Sequence, residues 1–306
     1  VVALQGVYVN SKQPTSLVKF ATADSAVRIL SQSSLRWSAP SLFKGPFELN
    51  HRSNVNFDSK ALLIACVKAT LGLIFSRDEP SGNSPLIKAV RRWRAEERFN
   101  SEDEASDVLS ELLSSMVRQR EPEMLQIMRD WIKYSSRLRI LCLTESHDEP
   151  SLWDRYGDGH TGVAIRLATG EDTSLEKPMA VSYSDRKPQI SSLKEQMDIL
   201  MNSAEVTVQE GFEEKFLCKS KSASREKEWR VLRTLKDEPP ADNQWFEEVS
   251  FQSQEVKAVY FGAAMADDKK AELNTLLARQ FPKVKIFQAK AFSDKFELDF
   301  ERTNPV

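Results

Sequence analysis

Glu226, Glu228 and Arg230 stand at alternate positions in the stretch Ser224-Arg225-Glu226-Lys227-Glu228-Trp229-Arg230-Val231-Leu232-Arg233. Alternation is the period of a β-strand, so the spacing predicts Glu226, Glu228, Arg230 and Leu232 on one face and Lys227, Trp229, Val231 and Arg233 on the other. Carboxylates beside a guanidinium can move a proton or hold charge where such a face lines a cleft. The indole next to a β-branched residue predicts that the opposite face is buried. On these residues alone, ordinary strand-surface carboxylates are the plainer reading, and the cleft is what has to be tested.

The elements that must position this strand can be read in order. Ser16 to Phe20 is β-like, and Thr22-Ala23-Asp24-Ser25 supplies cap residues for a helix through Ala26, Val27, Ile29 and Leu30. Leu35-Arg36-Trp37-Ser38 is a second short strand, followed by a loop with Pro40, Gly45 and Pro46 around Phe43 and Phe47, either a structural corner or a site wall. From Asp58 to Ser136 the pattern is helical: Ala61 to Phe75 is apolar nearly all round, as in a buried helix, and Leu86 to Phe99 carries Lys88, Arg91, Arg92, Arg94 and Arg98 among Glu96 and Glu97. That helix could touch phosphate, but a solvated side laced with ion pairs is the plainer expectation. Ser101-Glu102-Asp103-Glu104 matches a capping box for a helix to about Arg120, and Pro122 is expected to open another through Met124, Leu125, Ile127, Met128, Trp131 and Ile132.

The second half is strand-rich. Leu138 to Thr144 precedes a short helical segment with Trp153-Asp154-Arg155-Tyr156, and Gly157-Asp158-Gly159-His160-Thr161-Gly162 turns into the strand Val163 to Leu167. Three glycines in six residues allow close backbone approach, with a plain connection as the simpler account. Met179 to Tyr183 reads as a strand and Ile190 to Cys218 as helical. Trp245 to Phe251, Val256 to Gly262, Val284 to Gln288 and Phe296 to Phe300 read as strands, with a helix from about Asp267 to Gln280 between the second and third of these. The fold class expected is α+β: mixed, mostly antiparallel central sheets flanked by helices. The whole chain, 1–306, is read as a single domain with a helical insertion at 58–136.

Composition bounds the function. A chain of 306 residues with 41% hydrophobic content buries an ordinary core, and a net charge of -2 supplies no global field toward nucleic acid or anionic membrane. Cys66, Cys142 and Cys218 are far apart and suit reduced thiols in a cytoplasmic protein. His51, His147 and His160 form no metal-ligand spacing, so no metal is expected. No apolar run reaches the roughly 18–20 residues of a membrane span, and Val1-Val2-Ala3-Leu4 lacks the features of a secretory leader.

These segments together carry a likeness. Ser38 to Phe43 with Pro46-Phe47-Glu48, Trp153-Asp154-Arg155-Tyr156 with His160-Thr161-Gly162, Val181-Ser182-Tyr183, Glu226-Lys227-Glu228-Trp229-Arg230 and Val259-Tyr260-Phe261-Gly262 resemble a bacterial family of unknown function, the domain-of-unknown-function family twenty-nine seventy-one. Its layout looks like an ADP-ribosyltransferase core, and its appearance among defence genes implies a toxin-like or phage-defence effector.

The resemblance implies an NAD-using transferase or glycohydrolase, with NAD as substrate and a protein or nucleic acid as acceptor. Cleaving nicotinamide develops an oxocarbenium-like ribose, which a carboxylate stabilises. Glu228 would be that carboxylate, and Glu226 would position a nucleophile or accept its proton. Lys19 and Arg230 would hold the pyrophosphate, Tyr156 or Tyr183 would stack on nicotinamide, and His160 would approach a ribose. The chain departs from the family pattern at Lys44-Gly45, where Asn-Asp is usual, and at Phe20-Ala21, where Tyr-Arg is usual. Those departures favour the alternative, a catalytically inactive module whose cleft recognises a nucleotide or a protein. A third reading, nucleic-acid recognition through the Lys88 to Arg98 helix, is opposed by the near-neutral charge.

Overall fold

A computed structural model describes residues 13–43, 58–202, 208–240 and 245–303. The loop residues Lys44 to Glu48 and His51 lie outside the described residues. In chain order the first elements are β1 (Ser16–Ala21), α1 (Ala23–Gln32), β2 (Ser34–Ser38), α2 (Ser59–Phe75), α3 (Pro85–Ala95), α4 (Glu102–Arg137) and β3 (Leu138–Thr144). Then come α5 (Pro150–Tyr156), β4 (Val163–Ala168), β5 (Met179–Ala180), β6 (Ser182–Ser184), α6 (Leu193–Asn202), α7 (Phe212–Lys215), β7 (Cys218–Ser220) and β8 (Glu228–Thr234). The chain closes with β9 (Phe246–Ser250), β10 (Val256–Phe261), α8 (Asp267–Gln280), β11 (Lys285–Ala291) and β12 (Leu298–Thr303). The fold class is α+β, as the sequence predicts.

The chain divides into two compact units, and each is described by itself. The first comprises the described residues of 1–50, 136–186 and 217–306. Its sheet runs β12-β11-β10-β4-β1-β3-β2-β9, with β8 on β3 and β5 on β8. The pairings are antiparallel except β10 with β11, whose connection is the helix α8, as a parallel crossover requires. The strand β3 is where this sheet forks. β8 pairs with it along its whole length, Leu138↔Thr234 to Thr144↔Glu228, and so fills one edge. The other edge is shared: β1 touches it through Val18↔Thr144 and β2 through Ser38↔Ile140. Past its single pair with β3, β1 diverges, and the two strands open a gap between them.

A core of Leu17, Ile29, Leu30, Trp37, Leu143, Ile165, Trp229, Val231, Val259 and Phe281 fills one side of this unit, and Thr22 caps α1 there by accepting from the Ser25 amide. A second cluster, with Val18, Phe20, Leu152, Trp153 and Tyr260, holds α5. The glycine-dense turn after α5 is packed against its own chain. Asp158, Gly159 and His160 are all left-handed, a Cβ on Gly162 would collide with the Ala21 carbonyl, and one on Gly262 would collide with the His160 carbonyl. The close approach that the glycines allow is to the ends of β1 and β10.

The second unit comprises the described residues of 51–135 and 187–216. Leu62, Cys66, Val90, Leu109, Leu113 and Val117 form its core, and Trp131 stacks on Phe216 at 4.9 Å between centroids. Three expectations change here. The helix α4 runs unbroken through Pro122. Its surroundings are exposed, so water can take the carbonyl that proline's missing N–H leaves without a partner, and the buried Val117, Met124, Ile127 and Trp131 continue one stripe across it. The helix α2 buries Leu62, Cys66, Val67, Thr70 and Ile74 but leaves Ile64 58% exposed, so it is not buried all round. The span 190–218 is helical only in pieces, because Cys218 enters a strand that pairs in parallel with β6, a partner distant in sequence.

Candidate functional site

Glu226 is not on the strand. It ends a 3-10 turn, Lys221–Glu226, and Lys227 in the left-handed region carries the chain into β8 at Glu228. The face alternation drawn from Glu226 onward therefore starts at Glu228. The turn is pinned to β3 by the Thr144 hydroxyl, which donates to the Glu226 carbonyl at 2.6 Å. The two carboxylates still meet, because Lys219 on β7 lies between them. Its ammonium donates to Glu226 Oε2 at 2.7 Å and to Glu228 Oε2 at 2.9 Å.

The other carboxylate oxygens are also engaged. Arg230 Nε donates to Glu228 Oε1 at 2.7 Å, and Arg155 Nη1 on α5 donates to Glu226 Oε1 at 2.8 Å. The result is a row of alternating charge, Arg155, Glu226, Lys219, Glu228, Arg230. Four of the five are buried; the Arg155 side chain is 58% exposed. The Tyr156 hydroxyl lies 3.3 Å from Glu226 Oε2, and the Tyr183 hydroxyl accepts from the Glu228 amide at 2.7 Å.

A cavity of about 580 Å³ opens on this row at the fork of the sheet. β1 contributes Val18, Lys19 and Phe20, β3 contributes Cys142, Leu143 and Thr144, and Lys19 spans the gap to donate to the Cys142 carbonyl at 3.3 Å. Leu152, Leu42 and Phe43 make an apolar side, while Arg155, Tyr156, Lys219, Glu226 and Glu228 make the charged one.

Burial alone would raise the Glu228 carboxyl, but Arg230 and Lys219 outweigh it and hold the group at about 2. Lys219 is lowered by burial and raised further by Glu228 and Glu226, so it stays above the ordinary lysine range. Burial raises the Tyr156 and Tyr183 hydroxyls, and burial together with the Glu228 charge pushes the Cys142 thiol up to about 12. Near neutral pH Glu228 and Lys219 are ionised and the Cys142 thiol is protonated.

Of the residues singled out in the sequence, Lys19, Tyr156, Glu226 and Glu228 line the cavity together. Arg230 stands behind Glu228 at 1% exposure, and Tyr183 holds the start of β8; neither is in the lining. His160 is outside the lining as well, its ring parallel to Trp153 at 6.4 Å. Lys219 and Arg155 were missed. Arg155 sits inside the Trp153 to Tyr156 segment, but nothing local marks Lys219, whose place depends on the β6–β7 pairing. Among the described residues, no group of three or more His, Cys, Asp or Glu is placed to hold a metal ion.

Residues 152–231 match the family model described as Protein of unknown function (DUF2971). Over this segment the chain is similar to that family. The likeness read from the sequence holds over that span, and the whole charged row from Arg155 to Arg230 falls within the matched residues. No curated protein and no solved structure matches the chain.

The basic helix α3 is occupied with its own surroundings. Arg91 pairs with Glu79 and Arg92 with Glu96, Arg94 donates to the Asp78 and Leu73 carbonyls, and Arg98, just past the end of the helix, pairs with Glu104. The ion-paired account of that helix is the one observed. Among the described residues, no helix is long and apolar enough to cross a membrane.

Proposed function

We propose that the cavity at the fork is a nucleotide site, taking NAD or another ligand that joins a ring to a phosphate. The observation that carries this is the row of alternating charge. Both its ends are cations, and the end that reaches the cavity is Arg155, so the next member of the series is an anion. Lys19 on the facing wall adds to the same field. The apolar side with Phe20 and Phe43, next to Tyr156, offers rings for a base or a nicotinamide. The volume falls within the roughly 300–1,000 Å³ of small-molecule sites.

In this reading Glu226 and Glu228 fix the row and are not themselves the ligand's first contacts. A second reading, NAD cleavage by a transferase or glycohydrolase, is favoured by one fact: ionised Glu228 lines the same cavity. There it would face the developing ribose cation once Lys219 had moved off it. Calorimetric titration with ADP and with NAD tests binding, and nicotinamide release from NAD tests cleavage. Binding is expected in wild type and weakened about tenfold or more, one charge-assisted contact, in Arg155→Ala. Absence of binding by both ligands overturns the nucleotide reading. Nicotinamide release that is lost in Glu228→Gln establishes cleavage as well.

A further inference from the structure

The charged row has a residue at its centre whose removal would change what the cavity accepts. Lys219 is held on β7, a strand of three residues placed by its parallel register with β6, Tyr183 opposite Lys219. Its ammonium is about nine-tenths buried and sits between two carboxylates that are equally buried. No other described lysine or arginine bridges Glu226 and Glu228: Arg155 reaches the far oxygen of one and Arg230 the far oxygen of the other. Two carboxylates so placed repel each other, and in a low-dielectric wall a cation between them favours the state in which both are charged.

We propose that Lys219 is a positioning residue that fixes the ligand class of the cavity, bridging the Glu226 and Glu228 carboxylates and offsetting their charge so that the site receives an anion. The inference rests on the nucleotide reading for the identity of the ligand, but not for the charge of the wall. With Lys219 the lining carries Lys19, Arg155 and Lys219 against Glu226 and Glu228. Without it Lys19 and Arg155 stand against Glu226 and Glu228, the lining loses its excess of positive charge or the pair takes up a proton, and the attraction for an approaching phosphate falls. A wholly structural lysine would leave ligand charge preference and pH response where they were once the fold was intact.

The test uses the full chain, with Lys219→Met and Lys219→Arg compared with wild type. Carboxyl carbon-13 resonances of the glutamates are followed from pH 4 to 8, and ADP binding is measured across the same range. In wild type Glu228 is expected to show no titration step between about pH 5 and 8; in Lys219→Met one proton is expected to be taken up by the carboxylates in that window. ADP affinity is expected to fall at least about tenfold in Lys219→Met, to become pH-dependent, and to recover in large part in Lys219→Arg. A carboxyl titration in Lys219→Met identical to wild type overturns the proposal. If wild type does not bind ADP, the nucleotide reading fails while the carboxyl titration still decides the role of Lys219. Should Lys219→Met not fold, Glu226→Gln decides it: the cavity then gains positive charge and chloride or ADP must bind several-fold more tightly, and unchanged affinity for both overturns the proposal.

Discussion

Glu228 is the carboxylate through which local chemistry and stability meet. Both oxygens accept from cations, its own amide donates to the Tyr183 hydroxyl, and its neighbour Trp229 donates to Glu145 Oε1 at 2.8 Å. Replacing it by glutamine leaves Arg230 buried without its carboxylate, and breaking a buried pair in this way costs about 3–5 kcal/mol. Urea unfolding of Glu228→Gln at pH 7 should show a loss of that order with an unchanged slope. The sign with pH follows from the same geometry. The folded carboxyl lies at about 2 against 4.5 for the ordinary group, so its contribution is complete above 4.5 and is lost as pH falls toward 2. Wild type should therefore lose stability between about pH 4.5 and 2, and Glu228→Gln should lose less over that interval, as read from denaturation midpoints at pH 6 and pH 3. The chemistry-bearing types at this position were visible in the spacing of Glu226, Glu228 and Arg230, but their grouping was only half legible. Glu226 reaches the cavity from a 3-10 turn, and the ammonium that joins it to Glu228 comes from a strand that no local pattern announces.

The elements most exactly placed around the site are those whose backbones touch. The turn after α5 presses Gly162 on the Ala21 carbonyl and Gly262 on the His160 carbonyl, and Gln288 of β11 donates to the Gly262 carbonyl at 3.0 Å. This fixes the ends of β1 and β10 against the turn that follows Arg155 and Tyr156. Gly262→Ala forces a Cβ into backbone that has no flexible side chain to yield, and overpacking of this kind costs about 1–3 kcal/mol. The variant should melt at a lower temperature by circular dichroism. A melting temperature equal to wild type would show that the turn yields at no cost. Strands such as β1, β3, β4 and β10 were readable because each alternates or forms a short apolar run between turn signals. The apolar spacing of Leu193, Met197, Leu200 and Met201 is that of the observed α6, and the reading of 190–218 misled at Cys218, where the strand is dictated by a partner at Ser182. Pro122 misled for another reason: on an exposed side of α4 a missing N–H is tolerated when the buried stripe continues on either side.

At the scale of the whole molecule, the cysteines report on how closed the fold is. Cys66 is 1% exposed and its thiol is pushed up to about 11 by burial; Cys142 lies in the cavity wall at about 12. The thiolate is the reactive form, so neither should react readily in the folded state. A chromogenic disulfide reagent at pH 8 is expected to label at most one of the three cysteines of the native protein, and all three in denaturant. Rapid labelling of two or more in native buffer would contradict this arrangement. The near-neutral net charge supplies no global field toward an anion.

The sequence by itself determined the α+β class, most strands and helices, the ion-paired nature of α3 and the family likeness now matched over 152–231. These are local properties, set by periodicity, caps and turn residues within a few positions. Only the tertiary structure decided that β3 forks the sheet, that the gap beside it is a cavity, and that Arg155, Glu226, Lys219, Glu228 and Arg230 form one alternating row. The fork and the cavity depend on pairings between segments tens to more than a hundred residues apart; in the row Arg155 lies 71 residues from Glu226, and Lys219, though near Glu226 in sequence, is placed by the β6–β7 pairing, which local spacing does not mark.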